Sequence, residues 1–257
     1  LFDGIAEMKK STFKIILVKP RNPVNIGAAA RAMANFGLND LIIVAPYEPI
    51  LKETIETADI IASEEPSFSR EKENIAVGAG NIIRNAKIFE TLKEALSDCA
   101  LALATSSLKK RNPDRDILSL KNTSNYILEN NTDGENIALV FGSEKTGLSV
   151  KDLSYCNAII NIPTKKLQPS INLGQAVGIV CYELAGRNEI IKTKRSKVRK
   201  PTLGEINSVV SLIKERMDKN GAGHSEWVES KIRRSFLDAK IGKDIINTFK
   251  KILKNYK

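Results

Sequence analysis

Arg31 is the only cation in a run of small residues, and its neighbours decide what it can do. From Pro20 to Leu38 the chain reads P-R-N-P-V-N-I-G-A-A-A-R-A-M-A-N-F-G-L. At helical spacing Gly27, Arg31 and Asn35 share one face. Glycine and alanine beside a guanidinium let a bulky anion come close; the competing reading is a solvated helix residue. A second constellation is Gly142-Ser143-Glu144-Lys145-Thr146-Gly147-Leu148. It begins like the phosphate-binding loop G-x-x-x-x-G-K-[ST], but Leu148 stands where the lysine belongs and Glu144 puts a carboxylate in the phosphate nest. That argues against nucleoside triphosphate chemistry. A third is Ser170 and Asn172, where Ser170 is either the N-cap of a helix from Ile171 or a group that orients a ligand.

Other features narrow the chemistry. Gly78-Ala79-Gly80 starts a dinucleotide fingerprint, but the third glycine would fall at Ile83 and the context is not strand-to-helix, so a tight loop is expected. His224 is the single histidine, in a loop-like G-A-G-H-S, which excludes a histidine-rich metal site. Cys99, Cys156 and Cys181 have no C-x-x-C spacing and read as buried free thiols of a reducing, cytoplasmic setting. No apolar run approaches the ~20 residues that cross a bilayer, and no signal-peptide pattern opens the chain. Met8 is a possible natural start, with residues 1–7 an upstream extension. Neither metal nor membrane is expected as a partner.

The elements that must position these residues alternate. Continuous apolar runs at 14–18, 41–44, 87–89, 100–104, 137–141 and 158–162 suggest buried parallel strands. Helical periodicity appears at 23–36, 69–83, 92–96, 123–129, 150–153 and 171–184. Asn22 or Asn25 would cap the first helix, Pro23 suits its first turn, and Gly37 ends it. The alternation gives an α/β class with a parallel sheet. Helical patterns return at 203–218, with Thr202 as cap, then at 227–237 and 244–255.

Charge divides the 257-residue chain differently. The net charge of +10 comes wholly from the end: residues 187–257 hold 19 Lys and Arg against 8 Asp and Glu, the rest 21 against 22. Such a concentration marks a polyanion-binding extension. Two units are therefore expected, 1–186 and a basic helical extension 187–257 that deletion would leave separable.

The three constellations, in order, resemble the motifs of the SPOUT superfamily of RNA ribose 2′-O-methyltransferases, in the TrmH/TrmJ branch and nearest the TrmJ type. The arginine helix is the first motif. Gly142-x-Glu144-x-x-Gly147-Leu148 after an apolar strand is the second. Ile162-Pro163 followed by Ser170-Ile171-Asn172-Leu173-Gly174-Gln175-Ala176-Val177 is the third, with Ile171 and Gly174 departing from the usual residues and Gln168 near a common tyrosine.

The resemblance implies a parallel sheet with a deep trefoil knot over about 137–184 and a small C-terminal helical extension. It implies S-adenosyl-L-methionine as cofactor, held by Thr105, Ser106, Phe141, Gly142, Glu144, Gly147, Ile162, Pro163, Leu167, Ser170, Asn172 and Leu173. Arg31, Asn25, Ser170 and Asn172 would serve catalysis. Arg31 either takes the proton of the 2′-hydroxyl or anchors a phosphate; a guanidinium with a pKa above ~12 favours the anchor. RNA would meet Arg21, Lys109, Lys110, Arg111, Arg115, Lys194, Arg195 and Arg199. The implied substrate is tRNA at anticodon-loop nucleotide 32, with rRNA or another tRNA site as the alternative and an inactive RNA-binding protein as the third. A C2 homodimer is expected through an apolar side of the 171–184 helix, made of Leu173, Ala176, Val177, Val180 and Leu184.

Overall fold

The computed structural model describes residues 12–46, 78–107, 114–130, 135–165, 167–185, 199–220 and 226–255. Seven strands form one sheet: β1 (Thr12–Val18), β2 (Asp40–Val44), β3 (Lys87–Phe89), β4 (Cys99–Thr105), β5 (Asp116–Ser119), β6 (Asn136–Phe141) and β7 (Ala158–Asn161). All pairings are parallel and the order is β3-β2-β1-β6-β4-β7-β5. Between them lie α1 (Pro23–Asn35), α2 (Ala79–Arg84), α3 (Leu92–Ala95), α4 (Thr123–Asn130), α5 (Val150–Ser154) and α6 (Leu173–Ala185). The chain ends in α7 (Leu203–Lys219), α8 (Glu226–Asp238) and α9 (Lys243–Asn255).

The five inner strands are apolar on both sides because both sides are covered. Side chains alternate across a strand, so Ile15 and Leu17 enter one core and Ile16 and Val18 the other. The first core takes Ile26, Ala29, Ala30 and Met33 from α1 and Val177, Val180, Cys181 and Leu184 from α6. The second takes Leu92 and Leu96 around α3, Leu153 of α5, Leu203, Ile206, Val209 and Val210 of α7, Leu237 of α8 and Ile246 of α9. The basic extension thus supplies a layer of the main core. The boundary expected at 186 divides no core, because α7 packs on β4, α8 and α9 pack against α7, and all three contribute to the second core.

Several local expectations change. Leu173, Val177, Val180 and Leu184 are buried against their own sheet, with Ala176 packed beside them, so they offer no free face to a partner. Gly78 caps α2 and Gly80 lies inside it, where a loop was expected. Strand β5 is absent from the apolar runs of the sequence, and its mostly exposed side chains explain the lack of signal. Helix α6 starts two residues later than expected. Its cap is Asn172, whose Oδ1 accepts from the Gly174 N–H at 2.9 Å, and not Ser170. Asn22 does cap α1, accepting from the Val24 N–H at 2.9 Å, and Gly37 ends the turn at φ +69°.

Candidate active site

The ends of β1, β4, β6 and β7 point the same way, and the loops leaving them meet. At β6 the chain must reverse at once. Gly147 takes φ +64° and its N–H donates to the Ser143 carbonyl at 2.7 Å. A Cβ on Gly142 would stand 2.3 Å from both the Gly147 carbonyl carbon and the Leu148 nitrogen, so only glycine lets this loop fold on itself. Ser149 ends the loop by capping α5: its hydroxyl oxygen accepts from the Asp152 N–H at 3.0 Å, and the Asp152 carboxylate accepts from the Ser149 N–H at 2.8 Å.

Beside this loop lies a cavity of about 270 Å³. Its walls include Thr105, Ser106, Phe141, Gly142, Glu144, Gly147, Ile162, Ser170 and Leu173, all residues the sequence singled out. Ser107, Ser143, Lys145, Thr146, Leu148, Pro169, Ile171 and Ala176 complete it. Most of these flank the recognised motif positions; Ser107, in the T-S-S end of β4, was legible as a neighbour. Pro163 lines a separate outer depression, and Leu167 is fully exposed and lines neither. The reason is local: the Thr164 hydroxyl donates to the Pro169 carbonyl at 3.3 Å, which closes a small loop with Leu167 on its outside.

A chain of hydrogen bonds joins the three motifs. The Arg21 backbone N–H donates to Glu144 Oε2 at 3.0 Å. Asn25 Nδ2 donates to Glu144 Oε1 at 2.8 Å. Asn172 Nδ2 donates to Asn25 Oδ1 at 2.8 Å while its own Oδ1 caps α6. Both carboxylate oxygens and both amides are therefore fixed, which sets α1 against α6 at one angle. The helices approach closely because the contact is small: a Cβ on Gly174 would lie 2.6 Å from Ala28 Cβ. Arg31 lies on α1, exposed, with no hydrogen bond or ion pair among the described residues. Its guanidinium is unspent, as an anion site requires.

Of the expected RNA contacts, Lys109, Lys110, Arg111, Lys194 and Arg195 lie outside the described residues. Arg21 and Arg199 are exposed. Arg115 is a correction. It is only 6% exposed, and its guanidinium donates to the carbonyls of Leu153, Cys156 and Ser154 at 3.0–3.3 Å and to Asp114 at 2.7 Å. It closes the end of α5 and is not available to RNA. The thiols are buried: desolvation pushes Cys156 and Cys181 up to about 12 and Cys99 higher still. No group of three or more metal-ligating side chains occurs among the described residues.

The cavity suits S-adenosylmethionine. Its glycine cradle gives close backbone approach, aliphatic walls at Leu148, Ile162 and Leu173 suit a flat ring, and hydroxyls with one carboxylate suit a polar, cationic remainder.

Comparisons with known proteins agree with this geometry. Residues 53–182 match the model of the SpoU rRNA Methylase family. A tRNA (cytidine-2′-O-)-methyltransferase TrmJ of Methanocaldococcus jannaschii is 31% identical over 208 residues, 80% of this chain and 81% of that protein. A tRNA (cytidine/uridine/adenosine-2′-O-)-methyltransferase TrmJ of Pseudomonas aeruginosa is 34% identical over 66% of this chain; the match spans 59% of that protein. The crystal structure of TrmJ from Z. mobilis superposes with a TM-score of 0.73 at 28% identity, covering 95% of this chain and 98% of that one.

Proposed function

The chain belongs to the SpoU rRNA methylase family, and on that premise we propose that it methylates the ribose 2′-hydroxyl of a pyrimidine nucleotide in tRNA. The observation that carries the reading is the hydrogen-bond chain from Arg21 through Glu144 and Asn25 to Asn172. It ties three sequence-distant motifs together at Glu144, a cavity-wall residue, through the same helix α1 that carries the uncommitted Arg31. The tRNA methyltransferases among its relatives support the substrate. We extend the proposal to nucleotide 32 of the anticodon loop, to a trefoil-knotted path over 137–184, and to a cytoplasmic setting.

Phe141, Gly142, Ile162 and Leu173 would hold S-adenosylmethionine, whose sulfonium supplies an electrophilic methyl group. The protein's share of the chemistry is placement and charge. A ribose hydroxyl is a weak nucleophile, and its oxygen gains negative charge as its proton passes to solvent water. Arg31 meets that need by gripping the adjacent phosphate with its planar fork and stabilising the oxygen. Ser170, on the cavity wall, orients the ribose. Asn25 and Asn172 act through position, holding α1 and α6 in register. Holding the hydroxyl near the methyl group supplies a large part of the rate.

We also propose a C2 homodimer, through the open side of α1 and α6. Val24 and Tyr182 are 68% and 64% exposed there, Ile179 lies between turns of the same face, and Phe36 meets Tyr182 edge to face at 6.0 Å.

The decisive experiment is transfer of labelled methyl groups from S-adenosylmethionine to unmodified tRNA, followed by mapping of the methylated ribose. Label at a 2′-oxygen of an anticodon-loop pyrimidine is expected. Label on a base, or on rRNA alone, would refute the reading.

A further inference from the structure

Beyond Ser170 and Ile171 the cavity gives way to a second, more open depression of about 640 Å³, which these two residues also line. Its remaining walls are Pro163, Thr164, Lys165, Gln168 and Gln175. No acid lines it among the described residues. The side-chain amides of Gln168 and Gln175 are exposed and have no hydrogen-bond partner among the described residues. Their backbones, in contrast, are held. The Gln168 N–H donates to the Lys165 carbonyl at 3.0 Å, and the Gln175 N–H donates to Asn172 Oδ1 at 3.4 Å. Two unspent amides on fixed supports therefore face a space next to the place where the ribose is bound.

We propose that Gln168 and Gln175 read the base of the nucleotide being methylated, and that their amides make the depression a pocket for both pyrimidines. The inference rests on the ribose-methylation reading above. Cytosine presents the N4 amino donor beside the N3 acceptor. Uracil presents the O4 acceptor beside the N3–H donor. A carboxamide holds one acceptor and one amino donor side by side, and half a turn about its last bond exchanges them. It therefore matches either edge. A carboxylate only accepts and an ammonium only donates, so neither could serve both bases. Among the described residues Lys165 is the single cation on this wall, and it would face the backbone phosphate.

The test uses the full chain and three RNAs, with cytidine, uridine or an abasic ribose at the acceptor nucleotide. Gln168→Met and Gln175→Met keep the length of the side chain and remove its polar atoms. Each variant is expected to lose about tenfold in kcat/KM on both pyrimidine RNAs, with the dissociation constant for S-adenosylmethionine unchanged. On the abasic RNA, wild type and variants are expected to be equally slow. Wild-type kcat/KM in both variants on the pyrimidine RNAs would overturn the proposal. So would the same tenfold loss on abasic RNA, because the amides would then be holding the loop and not the base. Failure of the wild-type protein to methylate any RNA refutes the functional reading itself, which keeps the two failures apart.

Discussion

One sheet carries two unlike coverings. On the face of Ile15 and Leu17, α1 and α6 meet through alanine and glycine, close enough that a Cβ on Gly174 would overlap Ala28. On the face of Ile16 and Val18, the terminal helices are fastened by arginines. Arg233 donates to Asn207 at 2.8 Å, to Ser154 at 3.2 Å and to Glu229 at 2.6 Å, and stacks over Tyr155 at 4.2 Å. Arg234 reaches the Asn157 carbonyl at 3.1 Å and Asp238 at 2.7 Å. The first covering leaves its arginine, Arg31, exposed and uncommitted among the described residues. The second spends its arginines on structure. A basic composition therefore does not say which cations face RNA; burial and partners do.

The sharpest way to break this comparison is to delete the chain after residue 186. That removes Leu203, Ile206, Val209, Val210, Leu237 and Ile246 from the second core. Burial of such side chains contributes about 1.5–3 kcal/mol each, and six of them rival a whole domain's net stability of about 5–15 kcal/mol. The truncated chain is expected to be insoluble or unfolded by circular dichroism. A cooperative transition at the wild-type Tm would show that the extension is an appendage after all.

Next comes the exchange of one arginine on each face. Arg233→Ala strands Glu229 and Asn207 and is expected to cost about 3–5 kcal/mol in denaturant unfolding, with activity per folded molecule retained. Arg31→Ala is expected to leave unfolding unchanged and to cut methyl transfer by about 100-fold or more, with cofactor affinity intact. Equal effects of the two on stability would erase the distinction.

A smaller effect is expected at the seam of the first face. Gly174→Ala forces α1 and α6 apart and should cost about 1–3 kcal/mol, read as a lowered Tm with weakened cofactor binding. An unchanged Tm would mean the seam is looser than its geometry implies.

The smallest concerns the end of the sheet away from the site. Lys14 donates to Asp98 at 2.5 Å. Burial opposes both charges, but their hydrogen bond and mutual attraction prevail, raising Lys14 and lowering Asp98. Stability from the lowered Asp98 is present above its ordinary 3.8 and lost as pH falls through its depressed value; that from Lys14 is full below its ordinary 10.5 and lost as pH rises through its raised value. Asp98 is more than half exposed, so Asp98→Asn is expected to cost only about 0.5 kcal/mol at pH 7 and to flatten the acid limb of stability against pH. An acid limb identical to wild type would remove the pair from the account.

Much of this architecture was legible before any coordinates. Five strands declare themselves because both of their sides are buried, which makes their apolar runs continuous; the short β3 lies at one edge of the sheet, with Lys87 and Ile88 exposed. Strand β5 does not declare itself, because Asp116, Ile117 and Ser119 are exposed at the other sheet edge and only Leu118 is partly buried. Nine of the residues that the family resemblance implies for the cofactor line the cavity beside the glycine loop. Arg115 was misread because its sequence neighbourhood is basic, while its carbonyl partners are 38–41 residues away. Helices α7 to α9 showed their amphipathic period, but periodicity names a buried side without naming what buries it.

The hydrogen bonds that assemble the site span 123, 119 and 147 residues of chain. Contacts of such separation are entropically expensive to close early, and chains ruled by them reach the native state late. On the ribosome, Arg21 and Asn25 leave the exit tunnel long before Asn172 exists, so no nascent fragment that stops short of Asn172 can hold the constellation together. Half-made chains are thus silent towards RNA chemistry, and methyl transfer becomes a report that synthesis and folding have both finished.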